Sequence, residues 1–221
     1  MNTSDWKGWA KEKCDLNRLT SNLTISNTDA INKRVIESLV KKLPEDTIIT
    51  NDAGNFAGWL HKYYSFNKKH TYVGPTSGAM GYGMPAALGV KLACPKNLVV
   101  SLSGDGGFMM TAQELETAVR YNIRIISIVF NNNMYGTIRM HQEMHYPKRV
   151  IGTDLGSVAF NKLAESMGVL SYSVTTIDAF NTALEQALEE TKLVVIEVMT
   201  KKEQISVSKT LDDIHKDAKK T

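Results

Sequence analysis

Short apolar runs that alternate with amphipathic segments constrain the fold of this 221-residue chain more than any other feature. Runs such as 98–103, 124–130 and 193–199 are rich in valine, isoleucine and leucine, which is typical of strands covered on both faces. Segments with apolar residues at helical spacing separate these runs. This alternation predicts an α/β fold with a doubly wound, mostly parallel sheet and helices on both faces.

The same pattern places the individual elements along the chain. Strands are predicted near 47–51, 98–103, 124–130, 169–174 and 193–199, and helices near 31–43, 81–93, 111–121, 158–167 and 179–190. A long loop is predicted from 134 to 157. Residues 1–25 are expected to form an arm or linker, 26–200 the α/β domain, and 201–221 a charged tail that is a frayed helix or disordered.

Composition excludes several classes of protein. Hydrophobic residues make up 43% and charged residues 22%, which is typical of a globular protein. The net charge of +3 is too small to indicate a nucleic-acid-binding surface. No apolar run is long enough to span a membrane, and the N-terminus does not have the pattern of a signal peptide. Cys14 and Cys94 lie far apart without metal-ligand spacing, which favours reduced thiols in a cytoplasmic protein.

Three polar clusters follow predicted strands. They are Asn-Asp-Ala-Gly-Asn at 51–55, Gly-Asp-Gly-Gly at 104–107 and three asparagines at 131–133. Ligands of open parallel sheets bind beyond the carboxyl ends of the strands. The three clusters together therefore predict one binding site, although each alone is typical of a plain turn.

Asp105 lies between two glycines at the end of a buried strand, where a charge is costly unless something pairs with it. The glycines let the backbone approach a bulky anion, and the helix that follows offers free N–H groups. The carboxylate would repel a phosphate unless a cation lay between them. Mg²⁺ prefers about six oxygens, several of them from phosphates and water. Asp105 and Asn131 are predicted to bind it through their side chains, and Asn133 through its carbonyl.

A rival interpretation is a nicotinamide-binding domain. Residues 81–86, Gly-Tyr-Gly-Met-Pro-Ala, fit G-x-G-x-x-A, and Asp105 follows Gly83 by 22 positions, as in a dinucleotide-binding fingerprint. That fingerprint requires a preceding strand, and the residues before Gly81 leave room for at most a very short one. A ribose-binding aspartate also needs no flanking glycines and no asparagine cluster at the next strand.

Gly104-Asp105-Gly106, followed after 24 residues by Asn131-Asn132, resembles the motif shared by thiamine diphosphate enzymes. Segments 77–95 and 111–125 are most similar to the acetolactate synthase group of these enzymes. The similarity runs from about residue 46 to residue 199. It implies the thiamine diphosphate-binding fold and the C-terminal, diphosphate-binding domain of a longer enzyme.

The resemblance implies thiamine diphosphate and Mg²⁺ as cofactors. Met80 would force the cofactor into its bent form. Without the resemblance, Met80 would be interpreted as an ordinary methionine of the hydrophobic core. The carbonyl of Gly78 would accept a hydrogen bond from the aminopyrimidine. The other residues expected to line the cofactor are Gly54, Asn55, Gly104, Gly106, Gly107, Asn133, Tyr135 and Gly136.

The activity implied is decarboxylation of a 2-oxo acid followed by carboligation. The activating glutamate of the family lies on a separate pyrimidine-binding domain, so no catalytic residue is expected in this chain, which alone should not turn over. A homodimer or a heteromer with that domain is expected. The alternatives are a 2-oxo-acid decarboxylase subunit without carboligation and a non-catalytic binding subunit.

Two positions depart from the acetolactate synthase pattern. His141 stands where that group usually has a tryptophan, and Phe56 where it commonly has a histidine. Both weaken the expectation that pyruvate is the substrate. His141 and His145 are four residues apart, which allows a metal pair, but the segment offers no obvious third ligand. A solvated or substrate-facing histidine is the preferred interpretation.

Overall fold

The computed structural model describes residues 30–218, together with Gly8 and Glu12. Within that range, six strands form one sheet in the order β2-β1-β3-β4-β6-β5, and every neighbouring pair is parallel. The strands are β1 (Ile48–Asn51), β2 (Tyr72–Val73), β3 (Val99–Gly104), β4 (Ile126–Asn131), β5 (Leu170–Val174) and β6 (Val194–Met199). The predicted α/β class and parallel sheet are confirmed.

Helices cover both faces of this sheet. They are α1 (Ile31–Lys42), α2 (Ala57–Tyr63), α3 (Gly83–Ala93), α4 (Asp105–Thr111), α5 (Glu114–Arg120), α6 (Gly136–His145), α7 (Phe160–Ser166), α8 (Ile177–Glu189) and α9 (Leu211–Ala218). Helices α1, α2 and α8 pack on one face, and α3, α4, α5 and α7 pack on the other. None of the helices in the described part of the chain is both long and apolar enough to cross a bilayer.

The alternation of side chains along each strand produces the two cores. Val194, Ile196 and Val198 of β6 contribute to the core beneath α1, α2 and α8, whereas Val195 contributes to the core on the opposite face. Strands that bury both faces read as continuous apolar runs, which is why the sequence pattern located them. Glu197 shares the face of Val195 and is the exception in an otherwise apolar strand.

The order of the strands creates a crevice. After β1 the chain adds β2 on one side and then returns to place β3 on the other side of β1. The connections at the carboxyl ends of β1 and β3 therefore diverge, and open α/β sheets bind their ligands at such a switch point. The clusters at 51–55 and 104–107 lie at this point, and the asparagines begin at the last residue of β4, the neighbour of β3.

The structure differs from the predicted elements in several places. The expected loop from 134 to 157 contains α6, and α2 and β2 are absent from the predicted elements. The helix expected at 111–121 corresponds to α5, and a separate helix, α4, precedes it and begins at Asp105 itself. Within the segment expected to be a charged tail, Leu211–Ala218 is helical, and Ile205 and Ile214 are 2% and 3% exposed and pack with Met134. Cys14 and the predicted arm, apart from Gly8 and Glu12, lie outside the described residues.

Candidate active site

A cavity of about 240 Å³ opens at the carboxyl ends of β1, β3 and β4. Three loops form most of its wall, each following one of these strands. They contribute Ala53, Gly54, Asn55, Phe56, Gly104, Asp105, Gly106, Gly107, Asn132, Met134, Tyr135, Gly136, Thr137 and Ile138. Gly78 and Met80 add a further wall before α3, and Gln204 and Ile205 close the cavity from the C-terminal segment.

Asp105 is held in this cavity entirely by backbone donors. Its Oδ1 accepts from the N–H of Gly106 at 2.8 Å, and its Oδ2 accepts from the N–H groups of Asn132 at 3.2 Å and Met134 at 3.3 Å. Burial raises the pKa of Asp105 above its usual value, and these N–H groups lower it in part. A carboxylate offers about four lone-pair positions, so one remains for a ligand.

The charge of the cavity is unusual for a site predicted to bind a diphosphate. Among the described residues that line it there is no lysine, arginine or histidine, and Asp105 is its acidic side chain. An anion entering this space would meet a buried negative charge without a basic partner. A divalent cation bound to Asp105 would remove this conflict, so the residues present fit a metal-bound anion better than a free one.

The three asparagines at the end of β4 have different surroundings. Asn132 lines the cavity beside Asp105, and its Oδ1 accepts one hydrogen bond, from the N–H of Met134 at 3.2 Å. Asn131 is 1% exposed and does not line the cavity, because its amide is bonded within the core. Asn133 has a φ of 54°, and its carbonyl accepts from the N–H of Leu155. Asn131 and Asn133, expected as metal ligands, therefore lie outside the cavity wall, and Asn132 lies within it.

The other residues expected to contact the cofactor are brought together. Gly54, Asn55, Gly104, Gly106, Gly107, Tyr135 and Gly136 line the cavity with Gly78 and Met80. Gly78 requires its glycine for conformation, since its φ is 66° while an added Cβ would meet nothing within 4 Å. Gly106 requires it for space, because a Cβ there would lie 2.5 Å from the ring of Tyr135.

Asp52 links the loops around the cavity, a role that the sequence did not reveal. It is fully buried, and its Oδ1 accepts from the N–H of Gly83 at 2.5 Å. Its Oδ2 lies against Gly107, where an added Cβ would collide with it. Burial raises the pKa of Asp52, and the backbone donors near the start of α3 lower it in part. The signal available was an acidic residue directly after a fully buried strand.

Part of the cavity wall is aromatic. Phe56 stacks on Phe130 with ring centroids 5.6 Å apart, and Trp59 and Asn32 lie beside them in the wall. His141, in contrast, is exposed on α6 and stacks on His145 rather than lining the cavity. The described residues contain no group of three potential ligands among His, Cys, Asp and Glu, so the histidine pair has no completed metal site.

A buried ionic network braces the C-terminal wall. Glu143 of α6, with a side chain 1% exposed, accepts from Arg139 at 2.9 Å, His215 at 2.7 Å and the N–H of Lys148 at 2.8 Å. Burial alone would raise the pKa of Glu143, but these donors lower it below its ordinary value. His215 belongs to α9, so the network fixes the segment that carries Gln204 and Ile205.

Comparison with known proteins agrees with this geometry. Residues 52–198 match the model of the thiamine pyrophosphate enzyme family's C-terminal TPP-binding domain. The chain belongs to this family and comprises its thiamine diphosphate-binding domain, as the motif resemblance indicated. The match covers about two thirds of the chain and includes all three strand-end clusters, apart from Asn51.

Individual relatives span several activities. A probable acetolactate synthase large subunit from Methanococcus aeolicus is 35% identical over 70% of this chain and 26% of its own length. A sulfoacetaldehyde acetyltransferase from Castellaniella defragrans is 32% identical over 77% of this chain and 29% of its own. The structure of a thiamine diphosphate-dependent 4-hydroxybenzoylformate decarboxylase from Rhodococcus jostii RHA1 superposes with a TM-score of 0.73, at 30% identity over 77% of this chain and 32% of that chain. The sequence spans about a third or less of the length of these relatives.

Proposed function

We propose that this chain binds thiamine diphosphate with Mg²⁺ and provides one half of the active site of an acetolactate synthase-like enzyme. The observation that carries the proposal is the buried carboxylate of Asp105 in a cavity whose described lining residues include no basic side chain, within a domain of this family. A polyanionic cofactor can occupy that cavity only with a cation that neutralises both groups. The diphosphate would lie along Gly54, Asn55, Gly106 and Gly107.

We assign the metal to Asp105 and Asn132, and Asn132 replaces Asn131 in this assignment. Both side chains line the cavity, and each keeps an oxygen lone pair that no N–H donor uses. Mg²⁺ is usually held by one or two protein groups, with phosphate and water oxygens completing its octahedron. The carbonyl of Asn133 is not needed for this set, and it already accepts from Leu155.

The protein residues contribute position and exclude water. When bound, thiamine diphosphate supplies the carbanion chemistry that decarboxylates 2-oxo acids. Met80 and Gly78 form the wall on which its aminopyrimidine would rest, and the carbonyl of Gly78 would accept its hydrogen bond. Phe56 and Phe130 add an apolar surface to the cavity wall. No described residue that lines the cavity is a glutamate, so the activating carboxylate must come from elsewhere.

We further propose that a pyrimidine-binding domain, on this polypeptide or another, completes the site, and that the assembly is a homodimer or heteromer in the cytoplasm. The chain spans only 26% of the first relative and 32% of the superposed decarboxylase. The isolated chain is expected to bind cofactor without turning over a 2-oxo acid.

Calorimetric titration of thiamine diphosphate tests the proposal. Binding is expected with Mg²⁺, and it should be lost with a chelator and in Asp105→Ala. Asp154→Ala is the matched control, since Asp154 is exposed near the same loop and pairs with Lys202. Binding that survives the chelator or Asp105→Ala, or no binding at millimolar cofactor, contradicts the proposal.

A second candidate is a 2-oxo-acid decarboxylase that releases an aldehyde. The aromatic part of the cavity wall and the superposed 4-hydroxybenzoylformate decarboxylase favour it. Product analysis with pyruvate and an aromatic 2-oxo acid, with a pyrimidine-binding domain present, separates the two. Acetolactate supports the first candidate, and an aldehyde alone supports the second.

A further inference from the structure

Glu197 is a buried carboxylate that no step of the proposed chemistry uses. It lies near the end of β6, it is 2% exposed, and its neighbours along the strand are apolar. A buried carboxylate is costly unless its oxygens are hydrogen-bonded. Among the ion pairs of the described residues, none involves Glu197. Its partners are the side chain of Asn131 and, more distantly, the N–H of Asn161.

The contact with Asn131 determines how that side chain is oriented. A carboxylate only accepts hydrogen bonds, so Asn131 must present its Nδ2 to the Oε1 of Glu197, at 2.7 Å. The second hydrogen of Nδ2 points to the carbonyl of Val158 at 3.4 Å. The Oδ1 of Asn131 is consequently turned back along the chain, where it accepts from the N–H of Asn133 at 3.0 Å.

This turn decides which asparagine reaches the cavity. The bond from Asn133 to Asn131 closes a tight loop in which Asn133 has a φ of 54°. Asn132, between them, is left facing Asp105, to which its own N–H donates at 3.2 Å. The carbonyl of Asn131 is also held, since it accepts from the N–H of Thr200 at 2.8 Å. Both polar atoms of the Asn131 side chain are therefore hydrogen-bonded, and the shortest of these bonds is the one to Glu197.

We infer that Glu197 is a positioning residue that locks the Asn131 amide and thereby directs Asn132 toward the metal-binding position beside Asp105. The inference rests on the proposed function for the metal, but the contact itself exists in the described residues without one. Residues behind metal ligands commonly change metal affinity by about 10- to 100-fold when they are removed.

The experiment compares four forms of the chain: wild type, Glu197→Met, Glu197→Gln and Ile196→Ala. Methionine fills the space but accepts no strong hydrogen bond, whereas glutamine keeps an acceptor for Asn131. Ile196 precedes Glu197 but packs in the opposite core, so Ile196→Ala weakens β6 without touching Asn131. The measurements are hydrogen exchange of the Asn133 amide in the metal-free chain and Mg²⁺ affinity in the presence of thiamine diphosphate.

Glu197→Met is expected to speed exchange at Asn133 beyond the effect of Ile196→Ala and to weaken Mg²⁺ binding by about 10- to 100-fold. Glu197→Gln is expected to restore most of both properties. Unchanged exchange at Asn133, or unchanged Mg²⁺ affinity, in Glu197→Met overturns the inference. Failure of the wild type to bind Mg²⁺ and cofactor overturns the proposed function instead, and the exchange measurement still decides the role of Glu197. Glu197→Asp, whose shorter side chain draws the acceptor away from the Nδ2 of Asn131, tests the same contact if Glu197→Met does not fold.

Discussion

Asp105 and Glu143 are both buried carboxylates, and the fold surrounds them in opposite ways. Glu143, with 1% of its side chain exposed, pairs with the guanidinium of Arg139 on its own helix and accepts a hydrogen bond from His215 of α9. Within the described part of the chain, Asp105 accepts only from backbone N–H groups and lines a cavity to which no basic residue contributes. The pKa of Glu143 is lowered and the pKa of Asp105 is raised, consistent with this difference.

The comparison separates a structural carboxylate from a functional one. Removing one partner from a compensated buried pair leaves a charge without its counterion, which is strongly destabilising. A carboxylate that faces a cavity has no such partner to lose and keeps an oxygen for a ligand. Burial alone therefore does not distinguish the two roles, whereas the identity of the hydrogen-bond donors does.

The largest effect is expected for Glu143→Ala. It leaves Arg139 and the N–H of Lys148 without an acceptor and detaches α9, so the free energy of unfolding should fall by about 3 to 5 kcal/mol. Urea unfolding of the metal-free chain measures it. Asp105→Ala in the same assay should cost less than about 1 kcal/mol, because cavity water can solvate the freed N–H groups. If both variants lost the same free energy of unfolding, Glu143 and Asp105 would not differ in their structural role.

Asn131→Ala is expected to lower mainly the stability of the chain, whereas Asn132→Ala is expected to weaken mainly Mg²⁺ binding. The first removes three hydrogen bonds inside the core and strands the carboxylate of Glu197, so a loss of about 2 to 3 kcal/mol is expected. The second removes an oxygen that faces the cavity and should cost about 1 kcal/mol or less. Asn132→Ala should nevertheless weaken Mg²⁺ binding directly, as calorimetry with thiamine diphosphate would measure. If its stability loss exceeded that of Asn131→Ala, the assignment of Asn132 to the cavity would be wrong.

Gly107→Ala tests the contact between two of the cavity loops. The new Cβ would collide with the carboxylate of Asp52, whose position is fixed by the N–H of Gly83. Overpacking of this kind costs about 1 to 3 kcal/mol. Thermal unfolding would show the loss, and Gly156→Ala is a control, because a Cβ there meets nothing within 4 Å. A Gly107→Ala chain as stable as the control would show that Asp52 moves freely.

The smallest effect expected is a difference in pH dependence. Because the folded pKa of Glu143 lies below its ordinary value of 4.5, its contribution to stability is present above that pH and is lost as the pH falls through the lowered pKa. The pKa of Asp105 lies above its ordinary value of 3.8, so its contribution is present below that pH and is lost as the pH rises through the raised pKa.

Unfolding midpoints of the metal-free chain across the acid-to-neutral range would measure both terms. The unfolding midpoint of Glu143→Gln should lie below that of the wild type at neutral pH, and the difference should become smaller as the pH falls. The unfolding midpoint of Asp105→Asn should instead rise relative to that of the wild type as the pH rises. Parallel curves for wild type and both variants would show that neither carboxyl changes its pKa on folding.

The sequence located β3, β4 and β6 within one or two residues because strands buried on both faces leave continuous apolar runs. It did not locate α6, whose side chains are mostly partly exposed and whose buried residue is the acidic Glu143. The many lysines after residue 200 led to the prediction of a charged tail. The two isoleucines that pack against Met134 are too few to produce a recognisable apolar pattern there. Elements held by a few long-range contacts leave little periodicity to detect.

What the sequence determined alone was the parallel α/β sheet, the family and the meeting of three polar clusters at one edge. These follow from local periodicity and from the rule that parallel strands present their carboxyl ends together. Only the tertiary structure decided which of three adjacent asparagines faces Asp105. That choice depends on Glu197, a residue 66 positions further along the chain that holds Asn131 in the core and leaves Asn132 toward the cavity.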